Sequence, residues 1–140
     1  MNVLIIEDET AAAVNLKAIL RQVAPQYNVL DVLESVEESV EYFEQKSSPS
    51  PDLVFMDIHL ADGESFRIFD KVDITVPIIF TTAYDEYALR AFKVNSIDYI
   101  LKPINSADLR HAIELSDVDS ELHSNGGTGD GASDALILHL

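Results

Sequence analysis

Five polar residues directly follow short apolar runs in this 140-residue sequence, and their side chains suit the chemistry of an anionic group. They come from four separate segments: Glu7 and Asp8, Asp57, Thr82, and Lys102. Three of them are carboxylates, one is a hydroxyl and one is an ammonium. A polar residue after an apolar run is ordinary by itself, so the prediction depends on whether the fold brings the four segments together.

Asp57 is the candidate nucleophile of this set. A carboxylate is ionised at neutral pH and needs no general base. Its charge repels an anionic phosphoryl donor, and a divalent cation that bridges carboxylate and phosphoryl oxygens removes this repulsion. Glu7, Asp8 and Asp57 offer hard oxygen ligands, which suit Mg²⁺ with several retained waters. Lys102 adds a positive charge for the phosphoryl oxygens, and the Thr82 hydroxyl can donate a hydrogen bond to one of them.

Strands and helices alternate along the chain. Short apolar runs predict strands at 3–6, 28–33, 52–57, 77–81 and 97–101. Helical spacing of apolar residues predicts helices from Ala12 to Val23, from Val36 to Phe43, at 64–72, at 85–92 and from about 105 onward. This alternation is typical of an α/β fold, in which five parallel strands carry helices on both faces. Several of the strands are apolar at every position, as strands buried on both faces are.

The parallel arrangement of the strands brings the four polar segments together. The carboxyl ends of parallel strands meet at one edge of the sheet, and ligands bind in the crevice there. All five polar residues follow the predicted strands and therefore belong to this edge. The sequence predicts one site built from four segments.

Composition excludes several other functions. A net charge of −16 argues against direct binding to nucleic acid, whose phosphates would be repelled. The chain has no cysteine, so it has neither a disulfide framework nor a thiolate metal site. The acidic start MNVLIIEDE lacks the basic region of a signal peptide, and no apolar run approaches the ~20 residues of a membrane-spanning helix. We therefore expect no membrane partner.

The polar motifs together resemble the receiver domain of a two-component response regulator. The motifs that carry the resemblance are, in order, Glu7–Asp8, Asp57, Thr82–Ala83 and Lys102–Pro103. The resemblance covers residues 1 to about 118. Within it, the segment TTAYDEYALRAFKVNSIDYILKP (81–103) is more narrowly similar to the LytTR group of response regulators.

The resemblance implies a flavodoxin-like fold with strand order 2-1-3-4-5, with Mg²⁺ as the cofactor and the backbone carbonyl of His59 completing the metal ligands. It implies a cis peptide bond before Pro103. It also implies a switch in which the Tyr99 ring turns inward when Thr82 moves to the phosphoryl group. An ordinary alternative for Tyr99 is a strand aromatic packed against a helix. Ala61 departs from the pattern, because receivers often carry proline there.

The implied partner is a sensor histidine kinase, which would phosphorylate Asp57 in the cytoplasm. Homodimer formation on phosphorylation is a further expectation. The segment SDVDSELHSNGGTGDGAS (116–133) has the composition of a flexible linker, and the apolar run DALILHL follows it. We therefore predict a receiver domain at 1–118. Residues 119–140 are then a linker or tail that begins a missing DNA-binding module, through which alone the protein would contact DNA.

Two other classes of protein remain open at this stage. A phosphatase of the haloacid dehalogenase type also combines an aspartate nucleophile, a hydroxyl, a lysine and Mg²⁺. It normally carries a second aspartate two residues after the nucleophile, where this chain has His59. The other class is a binding module on the same fold that works without phosphorylation. Turnover of a small phosphate ester would favour the first, and failure to label Asp57 would favour the second.

Overall fold

The computed structural model describes residues 1–45, 49–83 and 96–124, and the side chains of all of these except 96–98 and 116–124. The strands in these ranges are β1 (Asn2–Ile6), β2 (Asn28–Leu33), β3 (Leu53–Asp57), β4 (His59–Leu60), β5 (Gly63–Glu64), β6 (Ile78–Thr82) and β7 (Ser96–Leu101). The helices are α1 (Thr10–Val23), α2 (Val36–Glu44), a 3₁₀-helix (Ser65–Asp70) and α3 (Ser106–Ser124).

Five of the strands form one parallel sheet in the order β2-β1-β3-β6-β7. The two-residue strands β4 and β5 pair with each other as a small antiparallel hairpin between β3 and the 3₁₀-helix. Once this hairpin is set aside, β6 and β7 are the fourth and fifth strands of the sequence prediction. The predicted α/β fold and its strand order 2-1-3-4-5 are confirmed.

Both faces of the sheet are buried, which explains the continuous apolar runs. On one face, Val3, Ile5 and Phe55 pack in a core cluster that also contains residues of α1 and α3. On the other face, Leu4 and Ile6 pack with residues of α2 and the 3₁₀-helix. Successive side chains of a strand point to opposite faces, so a strand covered on both sides needs apolar residues at every position.

The helices bury many of the positions that helical spacing singled out, whereas Ala12, Val23, Val40 and Phe43 are only half-buried. The buried residues of α1 are Ala13, Leu16, Ile19 and Leu20, and those of α3 include Leu109, Ala112 and Ile113. Helix α3 continues past residue 118, the predicted end of the domain, to Ser124. Within the described residues, no helix combines the length and the apolar character needed to cross a bilayer.

The segment after β3 differs from its prediction. The helix predicted at 64–72 is a 3₁₀-helix at Ser65–Asp70, preceded by the unpredicted β4–β5 hairpin. Six residues are too few to nucleate a stable α-helix, and 3₁₀ turns are common as connectors. The helix predicted at 85–92 lies outside the described residues, as do residues 125–140. Residues 116–124, predicted to begin a flexible linker, form the end of α3 instead.

Strand β2 lies at one edge of the sheet and is irregular. Its register with β1 shifts because Leu30 is an extra residue between Val29 and Asp31. Two residues further on, the Val32 N–H donates a hydrogen bond to Asp31 Oδ1 at 2.8 Å. The outer side of this strand thus carries both a bulge and a carboxylate.

Candidate functional site

The five polar residues singled out in the sequence all lie at the carboxyl edge of the sheet. Glu7 and Asp8 directly follow β1, Asp57 is the last residue of β3, Thr82 is the last residue of β6, and Lys102 directly follows β7. Strands β1, β3, β6 and β7 are consecutive neighbours in the sheet, so these ends stand side by side. The strand order therefore gathers residues that are up to 95 positions apart in the chain.

Lys102 connects two of the carboxylates. Its Nζ lies 2.5 Å from Glu7 Oε1 and 3.1 Å from Asp57 Oδ2. The two carboxylate residues are 4% and 5% exposed, and the lysine side chain is 17% exposed. Asp8 also belongs to this carboxylate group, so within the described residues three carboxylates lie together near one ammonium group. The site carries an excess of negative charge.

The pKa values of the site reflect this excess. Burial raises the pKa of Glu7, which the hydrogen bond from Lys102 lowers only in part, and the nearby charge of Asp57 raises it further. Desolvation and the charge of Glu7 raise the pKa of Asp8. Desolvation alone would lower the pKa of Lys102, but its contacts with Glu7 and Asp57 outweigh it, and the pKa of Lys102 is raised. Ionisation of Glu7 and Asp8 therefore costs the folded protein electrostatic free energy.

The arrangement fits a divalent cation. Ligand oxygens of Glu7, Asp8 and Asp57 all lie within 4.8 Å of one another. Carboxylate oxygens are the hard ligands that Mg²⁺ prefers, and a cation between them would relieve the repulsion that the raised pKa values report. The chemistry of this donor set therefore agrees with the metal that the sequence predicted.

Thr82 is fully buried at the end of β6. Its backbone carbonyl accepts a hydrogen bond from the Lys102 N–H at 2.7 Å, which ties the hydroxyl-bearing residue to the start of the lysine segment. The neighbouring residue Thr81 is the register partner of Asp57. Thr82 thus lies one residue beyond the register position of Asp57 on the adjacent strand.

Tyr99 and Pro103 complete the set of sequence candidates. Tyr99 is 3% exposed, is the register partner of Phe80, and lies in the core cluster on the α2 face of the sheet. Its ring is therefore inside the protein in this structure. The Lys102–Pro103 peptide bond is cis, the conformation that the resemblance implied.

His59 lies two residues after Asp57, and its N–H donates to Asp57 Oδ1 at 3.4 Å. Its role as a carbonyl ligand stays a prediction. Among the other histidines, His111 is exposed on α3, and the side chains of His123 and His139 lie outside the described residues.

Sequence reasoning missed one residue near the site, Asp62. It lies in the turn between β4 and β5 and contacts the start of α2. The dipeptide Asp62–Gly63 is itself a hairpin signal and could have revealed the turn. It could not have revealed the contact with α2, since the two segments are 26 positions apart.

Comparison with known proteins places these observations in a family. Residues 3–114 match the response regulator receiver domain. The sensory transduction protein LytT of Enterococcus faecalis is 39% identical over 117 residues, which cover 81% of this chain and 47% of that protein. LytT of Bacillus cereus is 33% identical over 143 residues, covering 88% of this chain and 56% of the relative. The chain thus spans about half the length of these curated relatives.

Solved receiver domains share the fold. The response regulatory domain of mrkE from Klebsiella pneumoniae superposes with a TM-score of 0.73 at 22% identity, covering 84% of this chain and 96% of that one. The signal receiver domain of a modulated diguanylate cyclase from Desulfovibrio desulfuricans G20 gives a TM-score of 0.71 at 30% identity, covering 87% and 97%. From the family match, the LytT relatives and the shared architecture, we conclude that this chain belongs to the response regulator receiver domain family.

Proposed function

We propose that this receiver domain accepts a phosphoryl group on Asp57 from a sensor histidine kinase, with Mg²⁺ held by Glu7, Asp8, Asp57 and the His59 carbonyl. The observation that supports this most strongly is the placement of Lys102. Its Nζ lies 3.1 Å from Asp57 Oδ2, beside three carboxylates whose ligand oxygens lie within 4.8 Å of one another. A nucleophile, a cation-binding set and a fixed positive charge therefore meet at one point.

The proposed step is a displacement at phosphorus. An Asp57 carboxylate oxygen forms the new O–P bond, the P–N bond of the kinase's phosphohistidine breaks, and its electron pair remains on the imidazole. A divalent cation bound here supplies charge neutralisation between the carboxylates and the phosphoryl oxygens. Lys102 changes partner during the step, because its charge stabilises the phosphoryl oxygens once Asp57 is esterified. The Thr82 hydroxyl donates a hydrogen bond to another of these oxygens.

Phosphorylation then alters a surface away from the site. When Thr82 moves toward the phosphoryl group, the Tyr99 ring, which is already inside the protein, takes up the space that the threonine leaves. A phosphoryl group shifts this equilibrium only through contacts that differ between the two states, and the contact with Thr82 is such a contact. Tyr99 and Thr82 are both buried and lie on neighbouring strands, which supports the coupling.

The output of this switch is proposed from the relatives. The proteins named LytT are about twice as long as the matched region. We infer that the chain after α3 leads into a LytTR-type DNA-binding module, which residues 119–140 begin, and that the protein regulates transcription through it. Homodimer formation on phosphorylation and a cytoplasmic location, where the kinase presents its phosphohistidine, belong to the same proposal. The domain signals and does not turn over a substrate.

Acetyl phosphate labelling tests the proposal. The protein is incubated with acetyl phosphate and Mg²⁺, and the intact mass is measured. We expect one added phosphoryl group, which is lost on chelation of the metal and in Asp57→Asn. Asp52→Asn is the matched control, because Asp52 is the exposed carboxylate at the other end of β3, and it should be labelled like the wild type.

Other outcomes identify the competing functions. Continuous release of phosphate from small esters would indicate a phosphatase. Absence of labelling under all conditions, or unchanged labelling of Asp57→Asn, would refute the assignment and leave a binding module. Hydrogen exchange with beryllofluoride checks the switch: changed protection along 96–101 is expected in the wild type and should be absent in Thr82→Ala.

A further inference from the structure

The start of α2 is capped by a residue from a distant segment. The first backbone N–H groups of an α-helix have no partner inside the helix. In α2, the N–H groups of Val36 and Glu37 donate to Asp62 Oδ1 and Oδ2, at 2.7 and 3.1 Å. The next N–H, that of Glu38, donates to Ser35 Oγ at 3.0 Å. One donor is thus satisfied locally, and two are satisfied by a carboxylate from the loop that follows the nucleophile.

Asp62 stands at the tip of the β4–β5 hairpin. Leu60 and Gly63 are register partners on either side of the turn that contains it. The base of the hairpin is closed by a hydrogen bond from the Ser65 N–H to the Ile58 carbonyl at 2.7 Å. Gly63 has φ 141°, a value that disfavours other residues. The hairpin therefore has a closed base and a sharp turn that directs Asp62 toward α2.

The contact between Asp62 and the start of α2 is also stabilised by charge. Slight burial would raise the pKa of Asp62, but the backbone hydrogen bonds from Val36 and Glu37 outweigh it, and its pKa is lowered. A carboxylate near a helix N-terminus also interacts favourably with the helix dipole. The ionised form of Asp62 is the form that holds the two N–H groups.

The same hairpin carries His59, whose position matters to the metal site. His59 follows Asp57 by two residues and donates its N–H to that carboxylate. The side chains of Ile58 and Leu60, on either side of it, are buried in the core cluster that also contains Val36 of α2. The backbone at His59 is thus held by core contacts and by the tip at Asp62.

We propose that Asp62 is a positioning residue for the phosphoryl-acceptor site: by capping α2 it fixes the hairpin tip and, with it, the His59 carbonyl that completes the metal ligands. This inference rests on the proposed function. It also accounts for Ala61, where receivers often carry proline. Proline restrains the backbone of a turn through its fixed φ, whereas here the restraint comes from the neighbouring carboxylate.

Two alanine variants separate positioning from helix stability. Asp62→Ala removes the cap that joins the hairpin to α2, and Ser35→Ala removes the cap that lies within the α2 segment alone. Removal of a helix cap typically costs about 1 kcal/mol, so both variants should fold and show similar losses of stability. Urea unfolding of each variant checks this match.

Magnesium binding then provides the decisive measurement. Titration calorimetry gives the Mg²⁺ affinity, and acetyl phosphate labelling gives the Mg²⁺ concentration for half-maximal rate. We expect Asp62→Ala to weaken Mg²⁺ binding about tenfold, the lower end of the loss found when groups that support metal ligands are removed. The labelling rate at saturating Mg²⁺ should stay close to that of the wild type, and Ser35→Ala should bind Mg²⁺ normally.

A different restraint on the hairpin backbone should restore Mg²⁺ binding to the Asp62→Ala variant. Ala61→Pro in the Asp62→Ala background places proline after Leu60, whose extended strand conformation tolerates a following proline. This double variant should recover most of the lost Mg²⁺ affinity. Equal weakening in Asp62→Ala and Ser35→Ala, or unchanged affinity in Asp62→Ala, would overturn the inference.

The outcomes also separate this inference from the proposed function. If the wild type binds Mg²⁺ but is never labelled, the proposed function fails. The Mg²⁺ affinities from calorimetry then still test the positioning role of Asp62. If the wild type is labelled and Asp62→Ala binds Mg²⁺ like the wild type, the positioning role fails and the proposed function stands. If the wild type does not bind Mg²⁺, both fail.

Discussion

The polar residues at the amino ends of the central strands differ from those at the carboxyl ends in the partners they have. These ends form the amino edge and the carboxyl edge of the sheet. At the amino edge, Asn2 and Asp52 exchange hydrogen bonds: the Asn2 N–H donates to Asp52 Oδ2 at 2.8 Å, and the Asp52 N–H donates to the Asn2 carbonyl at 2.7 Å. At the carboxyl edge, the buried carboxylates of Glu7 and Asp57 both contact Lys102. Among the described residues, Asn2 and Asp52 are thus a matched pair, whereas two buried carboxylates at the other edge depend on one ammonium group.

The difference lies in what each edge needs. Carboxylates only accept hydrogen bonds, so a cluster of three cannot satisfy itself and needs donors or cations from elsewhere. In the proposed function a cation and a phosphoryl group meet this need at the carboxyl edge. Without them, repulsion among the carboxylates costs the folded state free energy. Substitutions at the two edges should therefore have opposite consequences.

The largest expected effect is a difference in labelling rate between substitutions of two lysines, Lys102 and Lys17. Lys102→Ala should slow acetyl phosphate labelling at saturating Mg²⁺ about 100-fold, the loss typical when one group that stabilises transition-state charge is removed. Lys17→Ala makes the same change of charge beside Tyr27 and Val29, away from the site, and should leave the rate unchanged. The initial rate of mass increase measures both. Equal rates in the two variants would remove Lys102 from the proposed mechanism.

An intermediate effect concerns stability without metal. Asp8→Ala relieves repulsion among the site carboxylates and should raise the melting temperature by roughly 4 °C, the shift that ~1 kcal/mol gives in a domain of this size. Asp52→Ala removes a hydrogen bond to Asn2 and should lower it by about 3 °C. Adding Mg²⁺ should stabilise the wild type and Asp52→Ala but have little effect on Asp8→Ala. Thermal unfolding with and without Mg²⁺ measures both. The same sign for both substitutions would contradict the contrast.

The smallest effect is a difference in pH dependence. The pKa of Asp8 is raised in the folded state, so its contribution to stability is present below the unfolded pKa and is lost as the pH rises through the folded value. The pKa of Asp62 is lowered, so its contribution is present above the unfolded pKa and is lost as the pH falls through the folded value.

Urea unfolding in metal-free buffer between about pH 3 and pH 8 brackets these carboxylate titrations. As the pH rises, the wild type should lose stability relative to Asp8→Asn and gain stability relative to Asp62→Asn. Parallel curves for all three proteins would show that neither carboxyl has a shifted pKa.

Much of this site could be predicted from the sequence because burial leaves a clear pattern. Strands β1, β3 and β6 are covered on both faces, and each therefore appears as a continuous apolar run with a polar residue at its end. Parallel topology then places those ends together. No side-chain geometry is needed for that inference, and the structure agrees with it.

The missed features depend on contacts that leave no local pattern. The strands β4 and β5 have two residues each, too few to show a period. The cap on α2 joins residues that are 26 positions apart. Lys102 was expected to supply a positive charge for the phosphoryl oxygens, but its contact with Glu7 was not predicted, and at 2.5 Å this is shorter than its 3.1 Å contact with Asp57. That preference depends on where each side chain ends, which spacing along a chain does not specify.

The irregular edge strand β2 affects how the protein behaves in a crowded solution. An exposed edge strand is a template for pairing with another chain, and such pairing leads to aggregation. On β2, the extra residue Leu30 interrupts the ladder, and the Val32 N–H is already occupied by Asp31. An incoming strand would meet a bent backbone and a negative charge where it needs a donor. This side of the molecule is therefore a poor seed for intermolecular β-sheets.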